Sequence, residues 1–452
     1  MAARNQPASS PLFVFAHLGG NFVPAGRLEL VEQGSQLLAS SFAYGRRYLE
    51  RTNALEIDPV SLPLQERDAV RDRLLQPVNG LTFFGGIRDA APDAWGRRVI
   101  ESRLRAPANS LPESTYLLEA GNERTGALDI RRALDAPATA AALPVPLDYL
   151  LDAAARIEEG LPVPAHLAAI FDAGSSLGGM RPKANVRHPA DSGAKGDVQA
   201  HVESRPPGEY SSLWLAKFPS VSDRQLDVPL LEYATLRLAA LAGLRVPELR
   251  CVQAGGKNVL LVQRFDRRRD AGCAFEKRLH VVSALTLLAC HEQESPTKSY
   301  MDIADGLRRY AVTATLKEDL HELYARMLFN ILVGNDDDHL RNHALLREEA
   351  GWRLSPLYDV LPRPALATER FQHLGVGPQG RLATLDNAFE ARERFGLTAN
   401  NALSIIERVW RAVSEWRVHF SEAGVPAAQI GLVAPAFRRL EEIASSELRH
   451  RF

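Results

Sequence analysis

Apolar and polar residues alternate along Phe13-Val-Phe-Ala-His-Leu-Gly19 and again along Gly26-Arg-Leu-Glu-Leu30, the period-two pattern of half-buried strands. Gly19-Gly20-Asn21 supplies turn chemistry between them, and Ser41-Phe-Ala-Tyr44 to Tyr48-Leu49 continues in the same style. A helix is expected over Asp93–Leu104. Ala133 to Pro146, rich in Ala, Pro and Leu and nearly free of charge, reads as a linker. In the middle third, Ser175-Ser-Leu-Gly-Gly-Met180 is small and flexible, and Asn185 to Gly208 is a polar hairpin or loop. Leu213–Phe218 is a strand, and Val228–Leu241 is a helix with apolar residues at three- and four-residue steps. Cys251-Val252 and Val259–Val262 form a hairpin around Gly255-Gly256. The last third is helical. From Asp319 onward Leu320, Leu323, Tyr324, Met327, Leu328, Ile331 and Leu332 keep one stripe. Val409, Trp410, Val413, Trp416 and Phe420 keep another, with Glu407, Arg408, Arg411 and Glu415 off it. Both stripes are core faces, and there is no internal repeat. The pattern is α+β: a β-rich lobe followed by an α-helical lobe, with a cleft expected between them.

Composition narrows the function classes. The 54 Lys+Arg against 55 Asp+Glu leave a net charge of -1, which argues against a protein that coats nucleic acid or an anionic membrane. With 46% hydrophobic and 24% charged residues the chain has ample material for a core and is not a disordered one. Its three cysteines, Cys251, Cys273 and Cys290, show no paired spacing, which suits a reducing compartment. No run reaches the length of a membrane span and no signal-peptide pattern opens the chain, so a cytoplasmic location is expected. Only seven of the 54 basic residues are lysines, so the position of each lysine is informative.

The chemistry concentrates in Phe329-Asn-Ile-Leu-Val-Gly-Asn-Asp-Asp-Asp-His-Leu-Arg-Asn-His343. A helix is expected to end at Gly334. Three adjacent carboxylates, Asp336 to Asp338, then repel one another unless cations or donors gather nearby. Asp337 and Asn342 stand five apart, as do the base and the metal-binding amide of the protein-kinase catalytic loop. A hairpin of Ala344–Leu346 and Gly351–Leu354 leads to Ser355-Pro-Leu-Tyr-Asp359, so Asp359 falls where kinases place a second metal-binding carboxylate, with Val360-Leu361 in place of Phe-Gly.

Phosphate transfer also needs cations and backbone donors. Gly174-Ser-Ser-Leu-Gly-Gly-Met-Arg-Pro-Lys183 can supply both: Gly178 and Gly179 let the backbone approach phosphate oxygens, and Arg181 and Lys183 bring charge. Lys217 shares a strand face with Leu213 and Leu215, where a charge needs a partner, and Glu232 on the following helix is the candidate. Gln263-Arg-Phe-Asp266 sits where a hinge would bind adenine through its backbone.

These residues resemble a known family. Ser176-Leu-Gly-Gly-Met-Arg-Pro-Lys183, Leu215-Ala-Lys-Phe-Pro219, Val262-Gln-Arg-Phe-Asp-Arg267, Gly334-Asn-Asp-Asp-Asp-His-Leu-Arg-Asn342 and Leu354-Ser-Pro-Leu-Tyr-Asp359 are similar, in order, to motifs of the HipA family of bacterial serine/threonine kinase toxins. Phe83-Phe-Gly-Gly-Ile-Arg-Asp89 and Asp93-Ala-Trp-Gly-Arg-Arg98 resemble that family's N-terminal subdomain. The resemblance implies a protein-kinase-like two-lobed fold. Its parts would be an N-terminal β-rich subdomain over 1–132, a linker over 133–147, a kinase N-lobe over 148–268 and an α-helical C-lobe over 269–452. It implies ATP and Mg²⁺ as cofactors, Asp337 as general base on a protein serine or threonine, and Asn342 and Asp359 as Mg²⁺ ligands. Lys217, supported by Glu232, would contact the ATP phosphates, and Gly178, Gly179, Met180, Arg181, Pro182 and Lys183 would cover them. Gln263, Arg264 and Phe265 would hold adenine, with His339 and Tyr358 also at the nucleotide. Ser176 aligns with the serine that family members autophosphorylate, with Ser175 beside it. The implied partners are a small helix-turn-helix antitoxin (HipB-like), operator DNA reached through that antitoxin, and an aminoacyl-tRNA synthetase as target. The Gly-Gly-Met-Arg-Pro-Lys sequence resembles that of a variant branch of the family.

Two other readings use the same residues. A catalytically silent co-repressor or scaffold would set Arg264, Arg267–Arg269, Arg408 and Arg411 against DNA phosphate, although the neutral net charge disfavours autonomous DNA binding. A metal-dependent hydrolase would use His339 and His343, four apart, beside Asp336–Asp338. That reading leaves Lys217 and the glycine loop without a role.

Overall fold

The computed structural model describes residues 11–138, 145–171, 179–189, 211–223, 225–269 and 276–451, so Ser175, Ser176 and Gly178 lie outside the described residues. The chain divides into two compact units. One comprises Met1–Val221, Gln253–Lys257 and Gln263–Ala289; the other comprises Ser222–Val252, Asn258–Val262 and Cys290–Phe452.

The first unit opens with strands β1 (Leu12–Leu18), β2 (Asn21–Gln33) and β3 (Gln36–Tyr44). Gly19 and Gly20, both at positive φ, join β1 to β2 in the two-residue turn expected from the sequence. With β4 (Leu128–Arg131) they form an antiparallel sheet ordered β3-β2-β1-β4. The alternation expresses itself as a core face: Val14, Leu28 and Phe42 are fully buried with Ile57, Phe84 and Ile87. The chain does not stay extended to Leu49, as the sequence suggested. Gly45 breaks β3, and Arg46–Leu49 coils into one helical turn whose Tyr48 stacks on Tyr44. The Tyr48 hydroxyl engages both backbone groups of Leu55, so a short helix buries the aromatic as well as a strand would.

Helix α1 (Ala94–Leu104) begins where Asp93 accepts the Gly96 amide and ends at Arg105 in the left-handed region. Helix α2 (Leu147–Glu158) follows the charge-poor segment. Strands β5 (Lys183–Pro189) and β6 (Ser211–Lys217) pair antiparallel, so the described part of the segment expected as a hairpin or loop, Asn185–Pro189, is the first arm of a hairpin. On β6 the more buried side is Trp214 and Ala216, with Phe218 just beyond; Leu215 and Lys217 lie on the half-buried side. Strands β7 (Leu249–Ala254) and β8 (Lys257–Gln263) are neighbours around Gly255-Gly256, as expected, and their residues are divided between the two units.

In the second unit α3 (Val228–Leu241) is capped by Asp227 and carries Pro229 in its first turn. Helix α4 (Tyr300–Tyr310) starts from a Ser299/Asp302 capping box. Helix α5 (Thr313–Val333) begins a turn and a half before the stripe read from Asp319, because its first residues are exposed or half-buried and carry no apolar signal. It packs against α4 and α6 (Ala399–Ser414). Strands β9 (Ala344–Arg347) and β10 (Trp352–Leu354) make the expected hairpin. The last stripe is not one helix. The chain turns at Glu415, and Trp416–Glu422 is a separate helix whose Trp416 stacks on Phe437, which leaves Trp410 half-buried. No helix among the described residues is long and apolar enough to cross a membrane.

Gly334 ends α5 at φ +66, and a Cβ there would lie 2.2 Å from the Ala436 carbonyl oxygen. Gly334→Ala is therefore expected to lose about 2–4 kcal/mol through left-handed strain and the backbone clash, read as a lowered denaturation midpoint.

Candidate active site

The left-handed turn at Gly334 reverses the chain, and Asn335 closes it by returning its amide to the Asn330 carbonyl and its side chain to Asn330 Oδ1. The three carboxylates that follow separate. Asp336 and Asp337 face solvent, with side chains 51% and 55% exposed, and Arg363 stands 3.1 Å from Asp336 and 4.0 Å from Asp337. Asp338 turns inward and is buried. Its Oδ2 accepts the Tyr300 hydroxyl at 2.6 Å and its Oδ1 accepts the His373 amide at 2.7 Å. Asn330 donates in turn to the Tyr300 hydroxyl, and Gln372 donates to the Asn335 carbonyl. Ser295 Oγ receives the Leu340 amide and meets His373 Nε2. The loop is thus held from α4, α5 and residues 372–373.

Burial raises the Asp338 carboxyl to about 6 against the opposing pull of the Tyr300 and His373 hydrogen bonds. Burial, then the Asp338 charge, pushes the Tyr300 phenol well above its ordinary value. His343 is buried against the Tyr300 ring, where burial and then Arg326 push it down to about 3, so it stays neutral.

Residues 340–342 form a short 3₁₀ turn. It brings Asn342 back so that Nδ2 donates to the Asp337 carbonyl at 2.8 Å. Asn342 is 4% exposed, and its Oδ1 is buried with no hydrogen-bond partner. An oxygen left in that state costs free energy unless a further group engages it, so it fits a cation ligand. His339 Nε2 lies 3.9 Å from Asp337 Oδ1. Tyr358 donates to the Arg341 carbonyl, and Asp359, half-buried, sits at φ +58, an uncommon backbone state for a residue with a side chain. The fold therefore brings Asp337, His339 and Asn342 together.

The hydrolase reading loses its geometry. A 3₁₀ turn separates His339 from His343, His343 is buried against Tyr300, and no group of three or more His, Cys, Asp or Glu among the described residues is disposed to hold a metal ion.

The remaining expected residues belong to the first unit, apart from Glu232, which is buried on α3. Gly179 adopts φ +105, and Met180 is 70% exposed. Arg181 is half-buried and Pro182 buried. Lys183 does not extend into solvent: its ammonium pairs with Asp93 at 2.8 Å. Lys217 lies directly opposite Lys183 in the β5–β6 register. Gln263 and Phe265 flank Arg264, whose amide donates to the Leu213 carbonyl.

The Arg264 side chain is buried among Asp266, Asn185 and the carbonyls of Glu123 and Arg124. Arg267 joins the same cluster. Burial alone would raise Asp266, yet Arg264 and Arg267 hold it well below the usual carboxylate range. These two arginines are thus internal, and the co-repressor reading loses them as DNA contacts. Arg408, Arg411, Arg268 and Arg269 differ in being exposed, Arg408 donating to the Ala242 carbonyl and Arg411 pairing with Glu407. Sequence reasoning missed Tyr300, His373 and the inward turn of Asp338. The one signal was Asn330, a polar residue inside an apolar run.

With this geometry in place, comparison with known proteins is informative. Residues 175–416 match the family model described as the HipA-like C-terminal domain. Y4mE of Sinorhizobium fredii, classed by its name among the kinases, is 28% identical over 380 residues, covering 81% of this chain and 82% of its own. The serine/threonine-protein kinase toxin HipA of Shewanella oneidensis is 26% identical over 198 residues, covering 41% of this chain and 42% of its own. A solved structure of the Shewanella oneidensis toxin–antitoxin system of HipA, HipB and operator DNA superposes with a TM-score of 0.64 at 18% identity over 94% of both chains. The fold is kinase-like α+β.

Because the folded-state pKa of Asp338 is raised, the folded state binds this proton more tightly than the unfolded state does. Its contribution to stability is full below about pH 4 and is lost as pH rises through about 6. Denaturant titrations of wild type and Asp338→Asn are expected to show their stability difference shrinking over that interval, by up to about 3 kcal/mol.

Proposed function

The chain belongs to the HipA-like C-terminal domain family, and on that premise we propose that it is an ATP- and Mg²⁺-dependent protein serine/threonine kinase, the toxin of a toxin–antitoxin pair. The observation that carries the reading is the pairing within one short loop of an exposed carboxylate, Asp337, with a buried amide, Asn342, whose side-chain oxygen has no partner.

ATP with Mg²⁺ would supply the transferable phosphoryl group and neutralise charge on it. Asp337 orients the hydroxyl of an incoming serine or threonine and takes its proton as the oxygen attacks phosphorus and the bond to the ADP oxygen breaks. Asn342, fixed by its bond to the Asp337 carbonyl, and Asp359 would hold the metal, through Oδ1 and a carboxylate. Lys217, supported by Glu232, would meet the phosphates, the backbone of Gly178–Lys183 would cover them, and the backbone of Gln263–Phe265 would hold adenine. His339 and Tyr358 stand on the same loop system as Asp337 and Asp359.

The finer parts of the reading rest on family likeness. Shewanella HipA was solved with HipB and operator DNA, which supports a small helix-turn-helix antitoxin that carries this chain to DNA. The substrate we propose is an aminoacyl-tRNA synthetase, with Ser176 as the autophosphorylation site and the cytoplasm as the location.

Incubation of the purified chain with labelled ATP and Mg²⁺ should yield phosphoserine or phosphothreonine. Asp337→Asn is expected to lower transfer by about 10²–10⁴-fold while nucleotide affinity stays within about twofold. Transfer that survives the substitution would refute Asp337 as the base, and no transfer by wild type to itself or to a bacterial lysate would refute the kinase.

A further inference from the structure

Lys183 occupies a place where the charge on its side chain has already been answered. Its ammonium donates to Asp93 Oδ2 at 2.8 Å, with the two side chains only 4% and 6% exposed, and to the Gly179 carbonyl at 3.3 Å. Its own carbonyl accepts the indole of Trp95 at 2.7 Å, and Trp95 is 1% exposed. Asp93 Oδ1 meanwhile caps α1 by accepting the Gly96 amide at 2.7 Å. One carboxylate therefore starts a helix and holds a lysine 90 residues later. A Cβ on Gly179 would lie 3.0 Å from the Lys183 ammonium, so a side chain there would crowd the pair.

The β5–β6 register sharpens the point. Lys183 lies directly opposite Lys217, and like charges directly opposite on paired strands destabilise the pair. Asp93 offsets the charge of one of the two. A buried ion pair is costly to break on one side only, because the charge left behind is desolvated and uncompensated.

We propose that Asp93 is a positioning residue and that the Asp93–Lys183 pair rivets the limb Gly179–Lys183 to the start of α1. The backbone amides of that limb, not the Lys183 ammonium, then face the phosphates. The second clause rests on the kinase reading above; the first does not. This assigns Lys183 a different role from the phosphate ligand that the resemblance implies, and gives the segment around Trp95 a direct hold on the glycine-rich loop.

The two roles predict opposite signs. If the pair is a rivet, Asp93→Asn, which keeps the helix cap, and Lys183→Met each loosen the limb. Both should lower the melting temperature of the full chain by roughly 3–5 °C and weaken MgATP binding by about 3- to 10-fold in calorimetry. The double variant should lose no more than either single one, and Lys183→Arg, which keeps the pair, should stay close to wild type in both measurements. If Lys183 is a phosphate ligand held in check by Asp93, Asp93→Asn frees the ammonium and tightens MgATP binding; that result overturns the proposal. Additive melting losses in the double variant also overturn it. If wild type binds no MgATP the kinase reading fails, and the melting cycle alone decides the rivet: non-additive losses support it and additive losses refute it. Should Lys183→Met not fold, Lys183→Arg decides, since a loss as large as that of Asp93→Asn would refute the pair.

Discussion

Three consecutive carboxylates cannot share one face of a loop without repelling one another, and the candidate site depends on how the fold separates them. Asp338 goes inward to Tyr300 and the His373 amide, while Asp336 and Asp337 go outward toward Arg363. The inward carboxylate is the costly one, since burial drives its pKa up to about 6. In return it ties the residue next to Asp337 to α4 and to the chain at 373. A loop of short polar residues would otherwise sample many conformations. Here the backbone around Asp337 is fixed on one side by Asp338 and on the other by Asn342.

The first unit applies the same device away from the candidate site. Buried carboxylates act as hubs for donors far apart in sequence. Asp58 accepts the amides of Val60, Ser61 and Gly86. Asp89 accepts from Ser283 and Thr286. Asp266 gathers Arg264, Arg267 and the Gly126 amide. The preference for arginine suits the last of these hubs, because a planar guanidinium donates to several acceptors at once and tolerates desolvation better than an ammonium. Arg264 alone serves one carboxylate, one side-chain amide and two carbonyls. Among the described residues Lys183 is a lysine that is buried in an ion pair, where Asp266 has arginines.

What could be read from the sequence was what is local. The hairpins at Gly19-Gly20 and Gly255-Gly256, the helices from Asp93 and from Val228, and the end of α5 at Gly334 follow from periodicity, caps and glycines within a few residues. The errors came where packing outweighs pattern. Tyr48 reads as a strand residue but is buried by a helical turn, and the stripe through Trp416 is interrupted because Trp416 leaves its helix to stack on Phe437. In the site, the five-residue step from Asp337 to Asn342 was legible because both ends lie in one loop. The partners of Asp338 and Lys183 were not, since Tyr300 lies 38 residues and Asp93 90 residues away, and neither residue type announces a long-range bond.

The division of exposure within the loop bears on what it serves. The side chain expected to meet a substrate hydroxyl, Asp337, is 55% exposed, while Asn342, suited to hold a cation, is 4% exposed with an unsatisfied oxygen. A site built for a small diffusible substrate can enclose it and bury the base as well as the ligand set. A site that must accept a serine or threonine still attached to a folded protein needs its base at the surface and its cation site beneath it. The inward turn of Asp338 fits both requirements, because it anchors the loop through Tyr300 and the His373 amide while Asp337 stays at the surface.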